Sequence, residues 1–167
     1  MSEIRLRPAL PADVPAIDAL VQPLAARQVL LGKDLVAYYE AIQEFLVAVD
    51  AQDRVVGCGA LHVMWADLAE VRTLAVAEDV RGLGVGHRLL DALLQRARDL
   101  GLQRVFCLTF ETAFFGRHGF TELEGDGVDA ETYAELLRSL DPGVAEFLDL
   151  ARVKPNTLGN TRMIAHL

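Results

Sequence analysis

The sequence predicts one α/β domain over residues 1–167, with strands and short helices meeting in a largely apolar sheet. Three observations carry this expectation. The chain has 167 residues, 52% of them hydrophobic and 24% charged, the size and composition of one folded domain. Apolar runs of strand character alternate along it with stretches of helical spacing. No repeat, low-complexity tract or Gly/Ser/Pro linker divides it.

The elements follow in chain order. EIRLRPAL, residues 3–10, alternates apolar and basic residues like a half-buried strand. PADVPAIDALVQPLAA, residues 11–26, predicts a helix with Asp13 as its N-cap, bent or ended by Pro23. A second helix is expected from Asp34 to Glu44, where Leu35, Tyr38, Tyr39 and Ile42 recur at helical spacing. Phe45 to Val49 reads as a strand. After a polar turn at Asp53-Arg54, Val55 to Trp65 is a long strand and Glu70 to Val76 another.

The clearest helix is GHRLLDALLQRARDLG, residues 86–101, with Leu89, Leu90, Leu93, Leu94 and Ala97 in one stripe and Gly101 as its stop. RVFCLTF, residues 104–110, is too apolar for an edge strand and suits a buried central one. A short helix through residues 113–117 should end at Gly119, and another is expected over residues 129–140. The tail from Gly143 predicts two short strands separated by a Pro-Asn-Gly loop.

Charge and composition exclude several functions. Sixteen Lys+Arg against 24 Asp+Glu leave a net charge of −8, which argues against a general nucleic-acid binder. No apolar run reaches the roughly eighteen residues of a membrane span, and MSEIRLRPAL lacks a signal peptide's apolar centre, so a cytoplasmic protein is expected. Cys58 and Cys107 sit in apolar runs and read as reduced core thiols. His62, His87, His118 and His166 show no paired metal spacing, so no metal is expected.

One junction carries chemistry. EVRTLAV leads through AEDV and the basic, glycine-rich RGLGVG straight into a helix. Unpaired amides and partial positive charge at a helix start stabilise an anion there. Gly82, Gly84 and Gly86 remove side chains that would keep a pyrophosphate from those amides, and Arg81 adds a full charge. A Walker loop would need Gly-Lys-Ser/Thr where Gly86-His87-Arg88 stands, and the dinucleotide fingerprint would need a glycine in place of His87. A glycine-rich turn with no ligand is the alternative.

Arg81 to Gly86 resembles the R/Q-x-x-G-x-G/A motif of the GNAT acetyltransferases, which binds acetyl-CoA, and FFGRHGF at residues 114–120 resembles another landmark of that superfamily. The resemblance spans about Ile4 to Leu167. It implies a mixed sheet of roughly seven strands flanked by helices, splayed between residues 70–76 and 104–110 to admit the coenzyme. It also implies that backbone near Leu74 and Val76 holds the acetyl-pantetheine arm. Amides of Arg81, Gly82, Gly84, Val85, Gly86 and His87 would hold the pyrophosphate. A narrower likeness, through GCGALHVMW, AEVRTLAV, LQRVFCLTFETAFFGRHGF and NTRMIAHL, is to the acetyltransferase part of the N-acetylglutamate synthases. It implies a short, stand-alone form acetylating the α-amino group of glutamate, the first step of arginine biosynthesis, in a ternary complex.

Glu70 occupies the strand position where several members of the superfamily carry a glutamate base, and a carboxylate suits deprotonation of the acceptor ammonium. Strand alternation predicts Glu70, Arg72, Leu74 and Val76 on one face, with Glu70 and Arg72 about 7 Å apart. Arg72 either holds a substrate carboxylate or pairs with Glu70 and weakens it as a base. Arg72, Lys33, Arg162 and Lys154 are the candidate cations for an acidic acceptor, with solvated surface charge as the alternative. Phe115 stands where many members have a tyrosine acid. Tyr38, Tyr39 and Tyr133 are substitutes, with core packing as the alternative.

The expected partner is therefore a small-molecule amino acid, with neither nucleic acid nor membrane, and the resemblance admits a homodimer. Two rival functions are an acetyltransferase for a protein, lysine or polyamine amine, which the acidity would steer, and a non-catalytic acetyl-CoA sensor.

Overall fold

The computed structural model describes residues 3–30, 32–154 and 159–167. Among them, β1 (Arg5–Pro8), β2 (Phe45–Val49), β3 (Val55–Trp65), β4 (Leu68–Val76), β5 (Arg104–Thr109), β6 (Thr121–Glu122) and β7 (Thr161–His166) form one mixed sheet. Its order is β1-β2-β3-β4-β5-β7-β6. The β4–β5 pair is parallel, in register from Leu68↔Arg104 to Glu70↔Phe106, and β5 pairs antiparallel with β7 on its other side. That central position accounts for the nearly unbroken apolar run of β5.

The chain divides into two compact units. The first comprises Met1–His62 and Val71–Arg96. There α1 (Val14–Ala26) and α2 (Leu35–Glu40) bury Val14, Ile17, Val21 and Tyr38 with Phe45, Val47, Cys58, Ala60 and Ala75. In a second cluster, Val85 and Leu89 of α3 (Val85–Asp99) pack with Val56 and Val80, joined by Leu74 and Val76. Two glycines of β3 permit this approach. A Cβ at Gly57 would lie 3.0 Å from Leu89 Cδ1, and one at Gly59 2.9 Å from Leu93 Cδ1.

Two expectations for this unit are modified. Asp13 does not cap α1 with its side chain; the carboxylate accepts from Arg7 at 2.7 and 2.9 Å and from the Leu10 amide at 2.7 Å. It thereby closes the 3-10 turn Pro11–Asp13, and the Arg7 guanidinium holds it below the usual carboxylate range. Helix α1 continues through Pro23 to Ala26, the proline and Ala19, whose carbonyl it cannot serve, both being exposed. The second helix is shorter than expected, passing after Glu40 into a 3-10 turn over Ile42–Glu44.

The second unit comprises Val63–Glu70 and Ala97–Leu167. Its core joins Met64, Leu68, Phe106 and Ile164 of the sheet to Leu136, Val144, Phe147 and Leu148. The last four come from α5 (Ala130–Leu136), α6 (Pro142–Phe147) and the residue after it, while α4 (Thr112–Gly116) follows β5. The tail corrects the sequence reading. Residues from Gly143 do not begin a strand, because Asp141 accepts from the Val144 amide at 3.0 Å and Pro142 opens a helix. Among the described residues of the tail only Thr161–His166 is a strand, and most of the expected loop, residues 155–158, lies outside the described residues. No helix of the described residues is long and apolar enough to cross a membrane.

Candidate active site

The glycine-rich turn lies wholly in the first unit. At the end of β4 the Ala77 amide donates to the Val56 carbonyl at 2.8 Å, and a 3-10 turn over Glu78–Val80 leads into Arg81. Gly82 (φ 80°) and Gly84 (φ 77°) are left-handed, a conformation that L side chains adopt only with strain. A Cβ at either would meet nothing within 4 Å, so conformation rather than crowding demands glycine, and the backbone here borders open space.

The first helical hydrogen bond of α3 runs from the Arg88 amide to the Gly84 carbonyl at 3.0 Å. The amides of Val85, Gly86 and His87 precede it, ahead of the helix's regular hydrogen-bond ladder. Val85 is 2% exposed, its side chain locked in the core, so it offers only its amide. Arg81 is exposed, and Asp79, the nearest acid on one side, is engaged by Arg54 at 2.7 Å. The turn therefore brings helix-start amides together with the exposed cation Arg81, a combination suited to a pyrophosphate.

Strand β4 departs from regular geometry at one residue. Thr73 is left-handed (φ 56°), a region that β-branched residues almost never occupy, and it interrupts the strand's alternation. Its carbonyl accepts from the Cys58 thiol at 3.4 Å. Leu74 and Val76 pack with the α3 cluster, whereas Ala75 packs with Tyr38 and Cys58. Leu68, of the same parity as Glu70, packs with Phe106 and Phe147. The left-handed Thr73 thus breaks the regular alternation on which the expected shared face of Glu70, Arg72, Leu74 and Val76 depends.

Glu70 is 4% exposed. Its charge helps raise the neighbouring Cys107 thiol pKa, although burial of that thiol is the larger cause. Of the candidate cations, Arg72 and Lys33 are half-buried in the first unit. Lys33 acts electrostatically on Cys58, whose thiol burial pushes up to about 12.

In the second unit, Lys154 and Arg162 gather round Asp149, Lys154 as its ion-pair partner and Arg162 within electrostatic reach. The Arg162 guanidinium donates to the carbonyls of Gly125, at 3.3 Å, and Phe147. Burial lowers its pKa, with Asp149 opposing that shift. Its contacts therefore tie β7 to the loop at Gly125 and to the end of α6. Phe115 is buried edge-on to Phe114 and Phe120, with centroids 5.2 Å away in each pair, a packing role that supplies no acid.

Two features escaped the sequence reading. His62 Nδ1 lies 2.7 Å from Glu44 Oε1, a pairing 18 positions apart that no motif announces. The buried Tyr38 hydroxyl has no hydrogen-bond partner, although an apolar-stripe tyrosine gives no sign of this. Among the described residues no three His, Cys, Asp or Glu side chains are grouped to hold a metal ion.

The model of the acetyltransferase (GNAT) family matches residues 22–120. An amino-acid acetyltransferase of Mycobacterium tuberculosis is 60% identical over 161 residues, covering 95% of this chain and 92% of that protein. The crystal structure of Rv2747 from Mycobacterium tuberculosis, in complex with CoA and NLQ, superposes with a TM-score of 0.94 at 59% identity, over 98% of this chain and 99% of that one. N-acetylglutamate synthase from Neisseria gonorrhoeae, complexed with coenzyme A and N-acetyl-glutamate, shares the fold at a TM-score of 0.78 and 24% identity. That match covers 100% of this chain and 36% of the Neisseria one.

Proposed function

The chain belongs to the GNAT family of acetyltransferases, and from that premise we propose that it moves the acetyl group of acetyl-CoA to the α-amino group of a small amino acid, glutamate or a near relative. The observation that carries this reading is 60% identity to an amino-acid acetyltransferase over 95% of the chain, with the glycine turn intact at the start of α3.

In the proposed reaction the turn from Arg81 to His87 binds the pyrophosphate, and the β4 backbone at Leu74 and Val76 aligns the pantetheine arm. Glu70 takes a proton from the acceptor ammonium, directly or through one water. The freed amine attacks the thioester carbonyl carbon. The C–S bond then breaks, and the coenzyme leaves as a thiolate that water protonates, a thiol of pKa about 8.5 being a tolerable leaving group. Holding both substrates in one complex supplies much of the rate by removing their independent motion. Arg72 and Lys33 are assigned to the acceptor carboxylates. Lys154 and Arg162 remain further candidate cations for an acidic acceptor.

The reading is tested by ligand-dependent melting. Glutamate or glutamine should raise the melting temperature by several degrees with CoA present and by little without it. Protection by spermidine or a basic peptide, with none from amino acids, would move the assignment to a basic acceptor.

A further inference from the structure

Arg54 joins two carboxylates from different parts of the first unit. It ends the turn between β2 and β3, where its Nε donates to Asp50 at 3.0 Å, while a terminal nitrogen donates to Asp79 at 2.7 Å. Asp50 is buried and also accepts from the amides of Gln52 and Arg54, each at 3.0 Å. One side of the guanidinium is thus fixed by the β2–β3 turn. The other side reaches the 3-10 turn Glu78–Val80, which leads into Arg81 and the glycines. The same two segments meet again close by, where the Ala77 amide donates to the Val56 carbonyl at 2.8 Å.

Both side chains of the Arg54–Asp79 pair are more than half exposed, so the pair by itself adds little to stability. Its consequence lies in where Asp79 stands, two positions before Arg81 at the approach to the pyrophosphate turn. An unneutralised carboxylate there would oppose the positive potential of the helix-start amides. It would also compete with a phosphate for the Arg81 guanidinium. Arg54 commits Asp79 elsewhere.

We propose that Arg54 is a positioning residue for the coenzyme site: by holding and neutralising Asp79, it keeps Arg81 and the turn available to the diphosphate of CoA. The inference rests on reading the Arg81–His87 turn as the pyrophosphate site. It adds a residue from the β2–β3 turn to the support of that site.

The test is calorimetric titration of CoA into Arg54→Met, Asp79→Asn and the double variant, with acetyl-CoA kinetics beside it. Arg54→Met should weaken CoA about 3- to 10-fold at low ionic strength and raise the KM for acetyl-CoA alike, with kcat little changed. Adding Asp79→Asn should bring affinity back to within about twofold of wild type, because the charge that Arg54 restrained is gone. The Arg54→Met loss should shrink at about 1 M salt, where exposed charges are screened. CoA affinity unchanged in Arg54→Met would overturn the proposal. So would a loss that Asp79→Asn does not restore, or one that salt does not reduce, since Arg54 would then act through the β2–β3 turn alone. Arg54→Gln, which keeps a donor for Asp50 and removes the charge, must show the same pattern even if Arg54→Met folds poorly. Arg81→Met tests the underlying reading separately: unaltered CoA affinity there would remove the pyrophosphate site itself, and this proposal with it.

Discussion

A glutamate as buried as Glu70, 4% exposed in a sheet strand, bears a desolvation cost that evolution seldom tolerates without a use for the charge. Proton transfer from an ammonium is such a use, and it gives a first prediction. Glu70→Gln should lower kcat by about 100-fold while leaving CoA affinity unchanged, read by steady-state kinetics beside calorimetric titration. Turnover unaltered across pH would remove Glu70 as the base. At this scale the sequence shows residue types but not their exceptions. Glu70, Arg72 and Lys33 stand out as chemistry-bearing groups in EVR and LGKD. Thr73 does not, because a threonine in an apolar run is an ordinary strand former and only its φ of 56° reveals the break in alternation. Tyr38 is hidden for a similar reason. Helical spacing locates its buried face, but nothing in spacing reports whether a hydroxyl finds a partner.

The element that matters most is α3 with the turn before it. Leu89, Leu90, Leu93 and Leu94 are each at most 4% exposed, and burying a leucine stabilises by about 1.5–3 kcal/mol. That anchorage fixes where the first-turn amides point. Gly84→Val should weaken CoA binding at least tenfold by calorimetry, since a β-branched residue at φ 77° costs about 1–3 kcal/mol and must distort the turn. The leucine stripe should keep the variant folded by circular dichroism, and unchanged affinity would show that the phosphate site lies elsewhere. This helix and turn were readable because an amphipathic stripe, a run of glycines and a strand before them agree. Helix α6 was not, although Asp141-Pro142 is a helix-start signal. The apolar GVAEFL that follows satisfies a strand pattern equally well, and packing of Val144 and Phe147 against Phe106 decides it.

At the scale of the whole molecule, an acidic chain of net charge −8 handles an anionic coenzyme and, on the proposed reading, an anionic acceptor. On that reading the two needs are reconciled locally, by the proposed backbone amides at Val85 to His87 and the proposed cations, rather than by the overall field. The seven-stranded mixed sheet was foreseeable from the glycine motif and its flanks, because a resemblance covering most of the chain fixes topology that periodicity alone leaves open. The two-residue strand β6 was too short to carry any pattern.

The proposed reaction is acetyl transfer to an amino acid. Its most direct test is steady-state release of coenzyme A thiol from acetyl-CoA across glutamate, glutamine, aspartate, arginine, lysine, spermidine and a basic peptide, with each acetylated product identified by mass. Glutamate or glutamine should turn over well above every basic acceptor. Turnover with the basic acceptors alone, or CoA binding with no turnover on any amine, would contradict it.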